Sequence, residues 1–285
     1  MPATVRPRFT QSSLCRDPVY PARRVAQQTS TLFVVAFLYL SAYSAIAQTA
    51  APVVIRAGRL FDPISGHMMD HPVVVVSGDK IQSVSDANGS VGPRAEVIDL
   101  GNATILPGFI DVHTHLTMNA GGGGYEGLGI STPRAALIGA KNARLTLMAG
   151  FTTVRNVGAE GYSDVALRDA IDAGDVVGPR MQVSGPPLGI SGGHCDNNLL
   201  PFEFHYSAEG VADGEEAVMH RVREVIKYGA DVIKFCASGG VFSKGDNPLL
   251  EQYSPGEMNV CRTCWEIQTP VRTMSSAGST QAHLP

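Results

Sequence analysis

The chain has 285 residues, 44% hydrophobic and 17% charged, with 31 glycines and 18 prolines. That length and apolar content suit one large domain or two small ones, and exclude a disordered chain, a collagen-like repeat and a small disulfide scaffold. A net charge of −4 gives no electrostatic basis for nucleic-acid binding, and 7% aromatic residues with a single Trp, Trp265, give no stacking platform for single strands.

Residues 1–47 read as an address. Arg6, Arg8, Arg16, Arg23 and Arg24 stand against one acid, Asp17, and are followed by nine apolar residues, LFVVAFLYL, at 32–40. Ala45-Ile46-Ala47 then supplies a small-residue cleavage pattern before Gln48. A basic region, a short apolar run and such a site make a secretory signal, and the run is short for a bilayer span. The alternative is an uncleaved anchor. Cleavage leaves 17 basic and 25 acidic residues, a net charge of −8. The expectation is a secreted or periplasmic protein with no stable membrane insertion after leader cleavage.

Residues 48–103 predict a small β unit, with strands at 53–55, 73–76, 80–84 and 96–100. Turns at Ser77-Gly78-Asp79 and Asn88-Gly89 separate them. From Thr104 the pattern changes. The apolar run 105–112 suits a strand buried on both faces. Thr132-Pro133 opens a helix with Thr132 as N-cap, Ala136, Ala140, Ala143 and Leu147 on its buried face, and Gly150 at its end. A strand at 151–157, a helix capped by Ser163, and a strand at 180–184 follow. Next comes a helix with the capping pair Asp213 and Glu216, the stripe Val218, Val222 and Val225, and Gly229 at its end. A fourth strand is expected at 231–236. Strands alternating with helices predict βα units on a parallel sheet, with all strand C-termini on one face. In a (β/α)8 barrel that face carries the chemistry.

Three groups of residues sit at those strand ends. His113 and His115 are spaced i, i+2, so on a strand both imidazoles project the same way and can reach one cation. Lys234 lies in an apolar strand, where a lysine is costly unless it is paired, modified or able to extend its ammonium to the surface. His194, in Gly192-Gly193-His194-Cys195-Asp196, is a metal ligand, a substrate contact or a loop histidine. Cys195, Cys236, Cys261 and Cys264 have no regular spacing, and Cys261-Arg-Thr-Cys264 has no second CxxC to complete a zinc site. An oxidising compartment permits that pair to form a disulfide. Two other patterns lack their structural context. Gly189-Ile190-Ser191-Gly192-Gly193 fits G-x-S-x-G, but Pro186-Pro187 stands where the preceding strand belongs. Gly122, Gly124 and Gly127 fit G-x-G-x-x-G, but no strand runs into them.

PGFIDVHTHL (107–116), TTVRNVG (152–158), the loop SGGHCD (191–196) and IKFCASGGVFS (233–243) occur in this order. Together they resemble the amidohydrolase superfamily, and most closely its secreted metal-dependent dipeptidase and prolidase-like (imidazolonepropionase-like) branch. The resemblance covers about residues 53–255. It implies an α/β fold: here a partial (β/α)8 barrel of about four βα units, residues 104–255, beside a small N-terminal β-sandwich unit. It implies a centre of two divalent metals, usually zinc in this family, with His113 and His115 on the more buried one. It implies a CO2-derived carbamate on Lys234, whose two oxygens can bridge the pair. His194 then resembles a residue that contacts the substrate carbonyl or leaving group, and Tyr253 one that polarises that carbonyl. The implied activity is hydrolysis of a C–N bond in a small peptide or amide, with an oligomer possible for a full-length relative.

The family pattern also requires two histidines after strands five and six and an aspartate after strand eight. These are not found, and residues 256–285 read as an atypical tail with no βα pattern and one histidine, His283. The expectation is a C-terminally truncated chain, weakly active or inactive. The alternative is a non-catalytic fragment with residual metal binding.

Overall fold

A computed structural model describes residues 51–86, 94–121, 124–241, 243–244 and 247–268. The leader at 1–47, the turn at Asn88-Gly89, Gly122, and the tail residues 273–280 with His283 lie outside these. The described chain divides into two units. One takes the residues up to Leu60 together with Met68–Thr104, and the other takes Phe61–His67 and everything from Ile105.

The first unit is built on β1 (Val53–Arg56), β4 (Val73–Ser77), β5 (Lys80–Ser85) and β6 (Glu96–Asp99), in the order β5-β4-β1-β6. β1 runs antiparallel to β4 and parallel to β6. These Val-rich runs bury Val54 on β1 and the adjacent pair Val73 and Val74 on β4. Three short strands not anticipated from sequence, β2 (Arg59–Phe61), β3 (Met68–Asp70) and β7 (Thr104–Ile105), form a second sheet in the order β3-β2-β7. Each has two or three residues, too few for a periodicity to register.

The second unit carries β8 (Phe109–Thr114), β9 (Phe151–Asn156) and β10 (Arg180–Val183), all parallel, in the order β10-β9-β8. Its helices are α1 (Tyr125–Leu128), α2 (Thr132–Met148), α3 (Ser163–Asp172), α4 (Glu215–Lys227) and α5 (Pro255–Gln268). α2 and α3 pack beside this sheet around Leu116, Ala143, Val154, Val165, Leu167, Met181 and Val183. α4 and α5 enclose a second cluster with Leu188, Val218, Val222, Val225, Tyr253, Cys261 and Cys264. The expected stripe Val218, Val222 and Val225 is fully buried, each side chain contributing about 1.5–3 kcal/mol by burial. No helix among the described residues is long and apolar enough to cross a membrane.

Several local expectations are corrected. β8 is not buried on both faces: Phe109, Ile110 and Val112 are 49%, 66% and 55% exposed, because β8 is an edge strand. The buried face of α2 is Ala135, Ile138, Gly139 and Ala143, and its N-cap is Ser131 rather than Thr132. The pair Asp213 and Glu216 forms no capping box. Gly214 caps α4, and the Asp213 carboxylate accepts the Ser191 N–H and hydroxyl at 2.9 and 2.6 Å. Residues 256–268, the start of the segment read as an atypical tail, are helical, and Cys261 and Cys264 are buried free thiols in that helix.

The fourth strand is also irregular. Residues 231–236 lie beside β10 and its continuation, joined by a single parallel bridge between Leu188 and Phe235. Asp231 and Val232 donate their N–H groups to the Val183 carbonyl, Leu188 donates to Lys234, and Cys236 donates to Leu188. Between these contacts stand Pro186 and Pro187, which have no N–H to offer, so the ladder is interrupted.

Candidate metal centre

β8 delivers His113 to the C-terminal end of the parallel sheet, and His115 follows immediately. The local geometry is not a plain strand. Asp111 pairs with Val154 and Thr114 with Asn156, so Val112 and His113 together face Arg155 alone. This is a β-bulge, a device that re-aims side chains next to functional sites. Side chains stabilise it: the Asp111 carboxylate accepts the His113 N–H at 3.0 Å, and Arg155 Nε donates to the Val112 carbonyl at 2.8 Å. The two imidazole rings end with centroids 5.5 Å apart and planes 59° from each other.

Lys234 arrives from the irregular fourth segment. With His113 and Arg155 it lines a cavity of about 230 Å³, walled otherwise by Val112, Val157, Val232, Ile233 and Phe235. Burial lowers the Lys234 pKa, and the Arg155 charge lowers it further. Both favour the neutral amine. His115 is also shifted down, mainly by burial. The Gly158 carbonyl opposes the shift, and charge on His113, Lys234 and His194 reinforces it. His115 thus feels the charge of each of the other three groups.

His194 sits in the loop after β10. Its Nδ1 is 2.8 Å from Ser243 Oγ, and its N–H donates to Gln252 Oε1 at 3.1 Å. The ring fills the space that a Cβ at Gly240 would need, so the small-residue stretch after Lys234 admits the histidine. Cys195 and Cys236 form a disulfide, a pairing that their spacing of 41 residues did not reveal.

The structure does not bring Tyr253 to this group. Its ring is 2% exposed inside the α4–α5 cluster, edge-on to Phe235 at 6.3 Å. Its hydroxyl has no hydrogen-bond partner among the described residues. Burial raises its pKa, and the neighbouring acidic groups Cys261, Glu257 and Asp213 add to the rise. The phenol is thus directed among residues of the helical layer and does not line the cavity.

Among the described residues, no three His, Cys, Asp or Glu side chains converge to hold a metal. His113 and Lys234 on one cavity, with the His115 ring beside His113 and shifted by burial towards its neutral form, fit part of a metal site. Arg155 was missed at the sequence level, because an exposed arginine in the mixed-polarity stretch TTVRNV carries no burial signal.

The model of the amidohydrolase family matches residues 104–273, a span that continues past Pro255. Ochratoxinase of Aspergillus niger is 32% identical over 236 residues, covering 74% of this chain and 47% of that protein. A crystal structure of a Xaa-Pro dipeptidase with bound methionine superposes with a TM-score of 0.68 at 29% identity, covering 76% of this chain and 54% of the other. A prolidase in complex with N-methylphosphonate-L-proline gives 0.65 at 34% identity, over 76% and 54% of the two chains. The chain spans about half the length of the curated relatives it matches.

Proposed function

The chain belongs to the amidohydrolase family, and on that premise we propose that it carries the first half of the site of a metal-dependent hydrolase that cleaves amide bonds in dipeptides or N-acyl amino acids. In this reading β8, β9, β10 and residues 231–236 are the first four strands of a (β/α)8 barrel, with their C-terminal ends at the site. The observation that carries it is the convergence of His113, His115 and Lys234 there, with His194 close enough for its charge to act on His115.

A divalent cation, zinc by preference, supplies a Lewis acid and a water acidified by coordination. His113 and His115 would hold it, and burial shifts His115 towards the neutral form that binds a metal. Lys234 is suited to carbamate formation. Its neutral Nζ attacks CO2, the new N–C bond displaces a C=O electron pair onto oxygen, and a proton leaves the nitrogen. The product is a carbamate whose single negative charge is shared by two oxygens, in place of a neutral amine. His194 orients the scissile carbonyl or the leaving group from the loop facing Lys234. Tyr253 has no part in this unless the α4–α5 cluster rearranges around it.

A second reading, a chain that binds metal without turnover, is favoured by the absence among the described residues of a third His, Cys, Asp or Glu beside the pair. One experiment separates the two. The chain is purified, loaded with zinc, analysed for metal content and assayed on Xaa-Pro dipeptides and N-acyl amino acids. Turnover abolished by a chelator and restored by zinc supports the hydrolase; bound zinc without turnover supports the second reading. Neither outcome is compatible with zinc failing to bind.

Export is part of the proposal. The leader pattern motivates it, and the Cys195–Cys236 disulfide supports it, because such bonds persist in oxidising compartments.

A further inference from the structure

We propose that the Cys195–Cys236 disulfide is a positioning element of the candidate site, fixing the His194 loop against the strand that presents Lys234. Its effect on turnover rests on the hydrolase reading above; its effect on structure does not.

Cys195 directly follows His194, and Cys236 lies two residues beyond Lys234. The Cα atoms are 6.0 Å apart, within the span that a disulfide bridges. Both ends need such a link. Among the described residues, the backbone around Lys234 is tied to its neighbour at Val183 and Leu188, and Pro186 and Pro187 between them contribute no donors. His194 is held by two polar contacts, with Ser243 Oγ and Gln252 Oε1, and both partners follow Cys236 in the chain. A covalent bond at Cys236 therefore sets the register of the Lys234 segment and of the residues that grip His194.

Packing at the bond agrees with this role. Cys236 is 4% exposed. On the other side, a Cβ added at Gly189 would come within 2.8 Å of the Cys195 Cβ, so the Cys195 loop lies directly on the backbone that leads into Leu188. Loss of the bond leaves the interrupted ladder as the main restraint on Lys234.

The test uses the full chain loaded with zinc. Peptide mapping without reduction should recover residues 195 and 236 in one cross-linked species, with Cys261 and Cys264 as free thiols; recovery of Cys195 and Cys236 as free thiols overturns the proposal. Dithiothreitol gives two electrons and two protons to the bond, producing two thiols and its own cyclic disulfide. On that reduction, and in Cys195→Ser/Cys236→Ser, amide hydrogen exchange at 190–196 and 232–236 should rise about tenfold, while Val218, Val222 and Val225 stay protected. Unchanged exchange overturns the proposal.

A double-mutant cycle then separates positioning from general support. Cystine loss should lower kcat/KM for a Xaa-Pro dipeptide about tenfold in the parent and less than about twofold in His194→Asn, since the positioned group is already gone. An equal loss in both backgrounds overturns positioning through His194. If no form turns over substrate, the hydrolase reading fails, and the mapping and exchange results decide the cross-link by themselves.

Discussion

Arg168 on α3 places Nη1 2.7 Å from Oδ2 of Asp231, the residue that opens the Lys234 segment. The same guanidinium nitrogen donates to the Gly229 carbonyl at 2.7 Å, and the same carboxylate oxygen accepts the Val183 N–H at 3.1 Å. One half-buried ion pair thus joins a helix, the end of β10 and the start of the fourth segment. The disulfide secures that segment at its far end.

Arg168→Ala leaves the Asp231 carboxylate without its cation and the Gly229 carbonyl without a donor. Loss of one partner from a partly buried, hydrogen-bonded pair costs about 2 kcal/mol. Urea unfolding should show that loss as a lower midpoint with an unchanged slope. A change below about 0.5 kcal/mol would place the pair with ordinary surface ion pairs.

Asp164 predicts a pH dependence. It is fully buried, and its carboxylate accepts bonds from Asn156 Nδ2, the Gly185 N–H and the Val165 N–H. Burial outweighs those bonds and raises its pKa above the usual 3.8. The folded chain then keeps a proton that the unfolded chain releases. That contribution is complete below the ordinary carboxylate pKa and is lost as pH rises through the folded value. The stability of the parent relative to Asp164→Asn should therefore decline as pH rises above about 4 and level off beyond the folded pKa. A difference independent of pH in urea melts would contradict the raised pKa.

Lys234→Ala should lose metal and amide hydrolysis together, because the carbamate would be the anionic ligand of the site. A short carboxylic acid such as propionate should restore part of both by occupying the vacated position. Normal metal content and activity in this variant would remove Lys234 from the centre.

Gly240→Ala inserts a methyl group where the His194 ring lies. The ring must move, and the contact between Nδ1 and Ser243 Oγ must lengthen or break. Expected is a chain that melts within a few degrees of the parent, with kcat/KM lowered about tenfold by misplacement of one polar group. Full activity would show that His194 need not hold this position.

Tyr253→Phe distinguishes the helical-layer position from a catalytic one. A buried hydroxyl without a partner makes no favourable exchange with water, so its removal should leave stability unchanged or raise it by about 1 kcal/mol. Zinc content and turnover should be retained. A large fall in kcat would mean that the phenol reaches substrate in a different packing of α4 and α5.

Sequence determined the βα rhythm of the second unit, because its signals are local. Apolar runs mark β9 and β10, and a 3.6-residue stripe marks α4. It also pointed to His113, His115 and Lys234 as the residues to follow, since charged or metal-ligating residues in apolar runs are costly without a role. The family membership follows from the same motifs. What sequence could not carry was pairing. The bulge that sets two residues of β8 against Arg155, the break in the fourth segment opposite Pro186 and Pro187, the edge exposure of β8, the joining of Cys195 to Cys236, and the burial of Tyr253 each depend on which segment lies beside which. Those choices arise from contacts between separate segments of the chain, where the hydrogen-bond and packing partners of a residue are fixed by the assembled chain and leave no periodicity in its own neighbourhood.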